Sequence, residues 1–167
     1  MENKRISVYG IIIAGYTAIS LLGGSFSFGM IQIRIAELLL VLCLYDKRFI
    51  VPVTLGCFVT NMIGVMSGMN PLIIDLVIGT LATFLSGIFV YLFRNIRFHS
   101  LPLLSLIMPV IINAVMIAWE LYLYFNIDFL LLALYVGAGE LISVFVLGLL
   151  LYKPIGKTIS KYVEWYN

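Results

Sequence analysis

The stretch FLLLALYVGAGELISVFVLGLLLY, residues 129–152, carries a single charge, Glu140. As a helix rising about 1.5 Å per residue it reaches about 36 Å, enough to cross the roughly 30 Å hydrocarbon core of a bilayer. A carboxylate at the centre of such a helix costs roughly 2.5–3.5 kcal/mol on the insertion scale, where aspartate was the acid measured. Glu37 and Glu120 interrupt segments of the same character. Three such costs in a short chain point to a use. If the carboxylates share a cavity, they suit a ligand with several hydrogen-bond donors or positive charge.

The rest of the 167-residue chain reads the same way. It is 63% hydrophobic and 11% charged, with a mean hydropathy of +1.14. A soluble domain of this size could not cover its surface with so few polar groups. The chain is therefore read as a multi-pass protein of the cell membrane, a single domain over residues 1–167. Cys43 and Cys57 lie in apolar stretches without metal-ligand spacing and read as packing residues. The first hydrophobic stretch has a basic start but no small-residue cleavage site before a polar mature domain, so it is expected to be retained.

Six apolar segments emerge, at 6–22, 31–45, 49–66, 72–93, 101–125 and 129–152. They predict an all-α bundle of six transmembrane helices. Glycines and serines at 23–29, Asp46-Lys47-Arg48, residues 67–71 ending in Pro71, the polar link 94–100 and Asn126-Ile127-Asp128 separate them. The segment 31–45 is short for a full span. With both termini in the cytoplasm, Lys4, Arg5, Lys47, Arg48, Arg94, Arg97, Lys153, Lys157 and Lys161 all fall inside; only Arg34 falls outside. The positive-inside rule selects this orientation.

Depth follows from the helical rise. Glu37, Glu120 and Asn61 fall in the outer part of their segments, and Glu140 and Asn113 fall near the midplane. Asp75 is expected about one turn from the outer surface, solvated. The cytoplasmic half is nearly without buried polar groups, which suggests a pocket reached from outside. Asn113 and Glu120, seven apart, share a helix face. Arg34 and Glu37, three apart, are placed to pair. Small residues recur at every fourth position: Gly10, Ala14 and Ala18; Gly56, Thr60, Gly64 and Gly68; Gly79, Thr83 and Gly87. The second and third stripes read as internal packing; for the first, docking of a partner competes with packing.

Several motifs fail on inspection. Gly156-Lys157-Thr158 resembles the end of a phosphate-binding loop, but Leu151 stands where the first glycine is needed and no strand precedes it. Any ATP chemistry must come from another chain. His99 is the single histidine, no cluster has zinc or haem spacing, and no serine has an evident base. No metal, cofactor, nucleic-acid partner or enzymatic activity is expected.

Four pieces of the chain resemble the QueT family: Gly29-Met30-Ile31-Gln32-Ile33-Arg34-Ile35-Ala36-Glu37-Leu38, Gly79-Thr80-Leu81-Ala82-Thr83, Pro109-Val110-Ile111-Ile112-Asn113-Ala114 and Gly139-Glu140-Leu141. Together they span nearly the whole chain in order. Ala36 stands where a more polar residue is expected before the glutamate, which bears on substrate choice. QueT-like proteins are substrate-binding S components of energy-coupling factor transporters. The resemblance implies a six-helix membrane fold and uptake of queuosine precursors, which are 7-deazaguanines. It also implies a transmembrane coupling subunit and two ATP-binding-cassette ATPases as partners. An Ala-x-x-x-Ala motif in the first helix docks such components on the coupling subunit, and Ala14 and Ala18 match it.

The chemistry of the residues is compatible on its own terms. A guanine-like base offers N1–H and an exocyclic amine side by side, and one carboxylate accepts both. Its ring oxygen needs a donor, from an asparagine or Arg34. A cationic aminomethyl arm suits a second carboxylate, and Trp119 offers a flat apolar slab beside Glu120. Glu140, Glu120, Asn113, Glu37, Arg34, Asn61 and Trp119 are thus the expected substrate contacts. Two other readings stay open: uptake of another vitamin-like heterocycle, and a stand-alone proton-coupled transporter using the glutamates as a relay.

Overall fold

A computed structural model describes residues 2–24, 27 and 33–162. Among these residues six α-helices are numbered in chain order: α1 (Glu2–Gly23), α2 (Ile50–Met66), α3 (Ile78–Phe93), α4 (Leu103–Phe125), α5 (Phe129–Glu140) and α6 (Leu147–Tyr162). Between α1 and α2 lies a 3-10 helix, Ile35–Leu44. Between α5 and α6 lies a π-helical stretch, Leu141–Val146, which joins them into one rod. The described residues contain no strand, only one isolated bridge, Phe98 with Leu101.

Five helical stretches are long and apolar enough to cross a bilayer: Lys4–Gly23, Lys47–Met66, Ile73–Phe93, Leu103–Phe125 and Phe129–Lys161. They match five of the six expected segments. The sixth, 31–45, differs in kind. Its start lies outside the described residues, as does most of the expected loop 23–29. The described part is wound as a 3-10 helix, which rises about 2.0 Å per residue, so ten residues extend about 20 Å. Ala36, Glu37, Leu40, Val41, Leu42, Cys43 and Leu44 are all buried. A helix apolar all round belongs in an interior. The last helix also runs on through Pro154 to Tyr162, beyond the expected end at 152.

Local chemistry sets the ends. The Asp46 carboxylate accepts from the Arg48 N–H at 2.8 Å and opens the turn Lys47–Phe49. Partial burial opposes its charge, but the Arg48 guanidinium and N–H outweigh burial and hold the carboxyl below the usual carboxylate range. Gly68, at φ +74°, ends α2 in the left-handed region. Asn126, at φ 54°, does the same for α4, and the Asp128 carboxylate caps α5 by accepting from the Leu131 N–H. Pro109 inside α4 lacks the N–H that would bond back one turn, a gap that packed neighbours tolerate. At the π-helical stretch the Ser143 hydroxyl donates to the Gly139 carbonyl at 2.9 Å.

The 3-10 helix is the axis of the larger apolar cluster. Tyr16, Phe49, Val53, Cys57, Val90, Leu106, Tyr152 and Ile159 close around it. A second cluster joins Leu72, Ala82, Ile117, Ala118, Leu121, Leu132 and Val136. The exterior is equally apolar: Ile11, Leu22, Phe84, Ile111, Val115, Leu130, Leu134 and Leu150 are exposed. Water does not tolerate an apolar surface this continuous, and hydrocarbon does. The small-residue stripes of α2 and α3 face inward. A Cβ at Gly56 would stand 2.7 Å from the Tyr16 Cβ, and one at Gly87 would stand 3.3 Å from Ile50. Successive helices alternate in direction. One end of the bundle therefore gathers the turn at 45–49, the link at 94–102 and α6; there the Tyr45 hydroxyl donates to the Tyr152 carbonyl and the Tyr152 hydroxyl to the Ser100 carbonyl. Seven of the ten lysines and arginines lie on these elements.

Candidate functional site

The buried charged groups Arg34, Glu37, Asp75, Glu120 and Glu140 lie away from the basic end of the bundle. Arg34 precedes the 3-10 helix. Its Nη2 donates to Asp75 Oδ2 at 2.8 Å and its Nε donates to the Ser27 carbonyl at 3.3 Å. Asn70 Nδ2 donates to the same Asp75 oxygen at 2.8 Å. Asn61, on α2, donates from Nδ2 to the Asp75 carbonyl at 2.8 Å. Through its carboxylate and its backbone carbonyl, Asp75 thus ties together α2, the entry to the 3-10 helix and the link before α3.

This arrangement corrects two expectations. Arg34 pairs with Asp75 and not with Glu37 three residues on. Its backbone, at φ −88° and ψ 78°, is not helical, so the side-chain alignment that pairs positions three apart does not hold. Asp75 is buried at 2% exposure, not solvated at the surface. The short 3-10 helix Ile73–Leu76 turns it inward, where the missing Cβ of Gly79 makes room. A Cβ at Gly79 would stand 2.0 Å from Asp75 Oδ1.

Glu37 sits one turn into the 3-10 helix. Its Oε1 accepts from the Tyr16 hydroxyl of α1 at 2.5 Å and from the Thr83 hydroxyl of α3 at 2.8 Å. Its Oε2 has no partner. Glu120, near the end of α4, has no partner on either oxygen. It lines a cleft of about 250 Å³ with Pro71, Leu72, Ile73, Ile74, Leu123 and Tyr124. Glu140, the last residue of α5, has an unpartnered Oε2. Asn113 is on α4, which packs against α5, and its Nδ2 is also unpartnered. All three glutamates are 0–1% exposed. Glu140 lies within electrostatic reach of Glu37 and Arg34, and Glu120 within reach of Asp75 and Arg34.

The structure therefore gathers Arg34, Glu37, Asn61, Asn113, Glu120 and Glu140. Trp119 does not join them. It is 51% exposed on the outer face of α4, because one helical step turns it about 100° from Glu120. The aromatic ring at the cleft is that of Tyr124, and the one at Glu37 is that of Tyr16. Sequence reasoning missed Tyr16, Thr83 and Asn70, and undervalued Asp75. Thr83 did carry a signal, since it lies in the inward stripe of α3. Ala14 and Ala18 are exposed on α1, and a Cβ at Gly10 on the same stripe would meet nothing within 4 Å. His99 lies in the link at the basic end, outside the cluster.

The cluster is rich in acceptors. Glu37 Oε2, Asp75 Oδ1, both oxygens of Glu120 and Glu140 Oε2 are buried without partners, and Asn113 Nδ2 is the amide donor left without one among the described residues. Leaving such a group unsatisfied costs about 1–3 kcal/mol, more when it is charged. A ligand bringing several N–H donors and one acceptor complements these atoms.

A family model described as QueT transporter matches residues 6–157, a range that includes every residue of the cluster. No curated protein and no solved structure matches the chain at a significant level.

Proposed function

Because the chain belongs to the QueT transporter family, we propose that it is the membrane-embedded S component of an energy-coupling factor transporter, capturing a 7-deazaguanine precursor of queuosine from outside. The coarser reading, a multi-pass membrane protein of a transporter family, follows from the family and from five spanning helices.

One observation carries the substrate proposal: the order of unsatisfied atoms along α4 and α5. Glu120 presents two free acceptors at the cleft. Asn113, two turns earlier on the same face, presents a free donor. Glu140, at the end of the neighbouring α5, presents a further acceptor. A 7-deazaguanine carries the complementary groups in the same order around its rim: the 2-amino group and N1–H, then the ring oxygen, then the substituent at C7. Arg34 is committed to Asp75, so Asn113 is the better donor for the ring oxygen. Glu37 is held by Tyr16 and Thr83, which leaves it one free oxygen.

The remaining parts follow from this reading. The outward small-residue face of α1 docks on the coupling subunit, and two ATP-binding-cassette ATPases drive release inside. Residues 156–158 lie within α6 and form no phosphate loop. The basic end faces the cytoplasm. A stand-alone proton relay is disfavoured, since the buried acids among the described residues (Glu37, Asp75, Glu120 and Glu140) all lie in the opposite half.

The test is calorimetry of the purified chain in lipid nanodiscs against the aminomethyl and cyano bases and queuine. Binding of at least one, with a matching thermal shift, is the expected result. Binding of a different vitamin-like heterocycle and of no deazaguanine overturns the substrate assignment. Protonophore-sensitive uptake by vesicles holding this chain alone overturns the S-component assignment.

A further inference from the structure

Glu120 and Tyr124 stand four residues apart on α4 and line the same cleft of about 250 Å³. Four helical steps turn a side chain by about 40° and advance it by about 6 Å, so Tyr124 is placed one turn beyond the carboxylate, toward the end of α4. The carboxylate is buried and neither of its oxygens has a partner. The ring beyond it is 58% exposed. The Phe125 ring meets it at 78° with centroids 4.9 Å apart, an edge-to-face contact that restrains how the Tyr124 ring is turned. The other wall of the cleft is the apolar run Pro71–Ile74. Its two ends are tied down: Asn70 accepts from the Leu72 N–H at 3.0 Å, and Asn70 and Arg34 both donate to Asp75 at 2.8 Å. The cleft thus sets two buried acceptors beside an aromatic face and an apolar wall. A lipid chain would use the apolar surfaces but leave the acceptors unmatched. A flat heterocycle with donors along one edge uses all three.

We propose that Tyr124 is the stacking platform of the site: the base lies with its donor edge on Glu120 and one face on the Tyr124 ring, opposite the Pro71–Ile74 wall. This inference rests on the deazaguanine reading and adds to it the residue that recognises the flat ring. The face is common to every 7-deazaguanine, so Tyr124 contributes equally to the aminomethyl and cyano bases and selects for the ring system, not for the substituent at C7.

The test is calorimetry of the full chain in nanodiscs with both bases, for Tyr124→Leu, Tyr124→Phe and Trp119→Leu. Leucine keeps an apolar side chain and removes the ring face. Tyr124→Leu should lower affinity for both bases by the same factor, about tenfold, the ordinary weight of a base stacked on an aromatic ring. Its melting temperature without ligand should match the parent, because Tyr124 is largely exposed. Tyr124→Phe keeps the face and should bind as the parent does. Trp119→Leu changes the exposed ring next to Glu120 in sequence and should also bind as the parent does. Parent affinity in Tyr124→Leu overturns the stacking role and leaves the substrate reading standing. So does an equal loss in Tyr124→Phe, which places the contact at the hydroxyl, or an equal loss in Trp119→Leu, which makes the effect one of interfacial aromatics in general. No binding of either base by the unaltered chain overturns both.

Discussion

Arg34 and Asp75, 41 positions apart in sequence, form a buried ion pair with Nη2 and Oδ2 at 2.8 Å. The same Asp75 oxygen also accepts from Asn70, and its backbone carbonyl accepts from Asn61. The pair therefore anchors the wall of the Glu120 cleft, since Pro71–Ile74 lies between Asn70 and Asp75. Breaking a buried pair on one side leaves an uncompensated charge and costs roughly 3–5 kcal/mol. Asp75→Asn should destabilise the chain by about that amount in thermal or denaturant unfolding from micelles. Arg34→Met combined with Asp75→Leu should recover much of the loss, because neither charge is then stranded. A single mutant as stable as the parent chain would show that the link is held by something else.

Glu120→Gln should weaken both the aminomethyl and the cyano base. The glutamine amide offers one acceptor where the carboxylate offered two, and turns a donor toward the donors of the base. Losing a charged hydrogen bond costs about 1.5–3 kcal/mol, roughly ten- to 150-fold in affinity. Glu140→Gln should cost a similar amount for the aminomethyl base and less for the cyano base. Calorimetry separates the two. Unchanged affinity of both variants for both bases would remove these carboxylates from the site.

The glutamates were legible because a charge in an apolar helix stands out against its surroundings. The shared face of Asn113 and Glu120 was legible because helical periodicity is regular. Trp119 was misjudged because adjacency along a helix separates side chains by about 100°. The Arg34 partner was illegible for a different reason. Its backbone leaves the helix just there, and Asp75 reaches it only through the 3-10 turn Ile73–Leu76. Tyr16 and Thr83 carry ordinary hydroxyls whose role appears only when three helices meet around Glu37. The 3-10 winding of Ile35–Leu44 has no local signature, since its residues other than Glu37 are apolar on every side.

Gly79 and Gly10 should respond oppositely to the same change. A methyl group at Gly79 would fall 2.0 Å from Asp75 Oδ1 and 2.8 Å from Asn61 Nδ2, so Gly79→Ala must displace the polar hub. Overpacking of this kind costs about 1–3 kcal/mol, and base affinity should fall with it. Gly10→Ala meets nothing within 4 Å, and alanine is the better helix former. It should leave the melting temperature unchanged or slightly raised. If Gly79→Ala melts and binds like the parent, the close approach of α3 to Asp75 has no energetic weight.

The outer face of α1 should matter to assembly and not to folding. α1 is the least enclosed span, with 17% of its window buried against 33–44% for the other four. Gly10, Ile11, Ala14 and Ala18 are exposed on it, and small residues of this kind let a second helix approach closely. On its inward face Tyr16 donates to Glu37, so α1 touches the site through one hydrogen bond while presenting its opposite side to a partner. Ala14→Leu and Ala18→Leu fill only the outer groove. The purified chain carrying either change should bind its base with the parent affinity. Co-purification with the coupling subunit and ATP-driven uptake in reconstituted vesicles should fall at least tenfold. Full uptake by the Ala14→Leu, Ala18→Leu double variant would place the partner on another face of the bundle, and loss of binding by the chain alone would mean that the outer groove of α1 is continuous with the site.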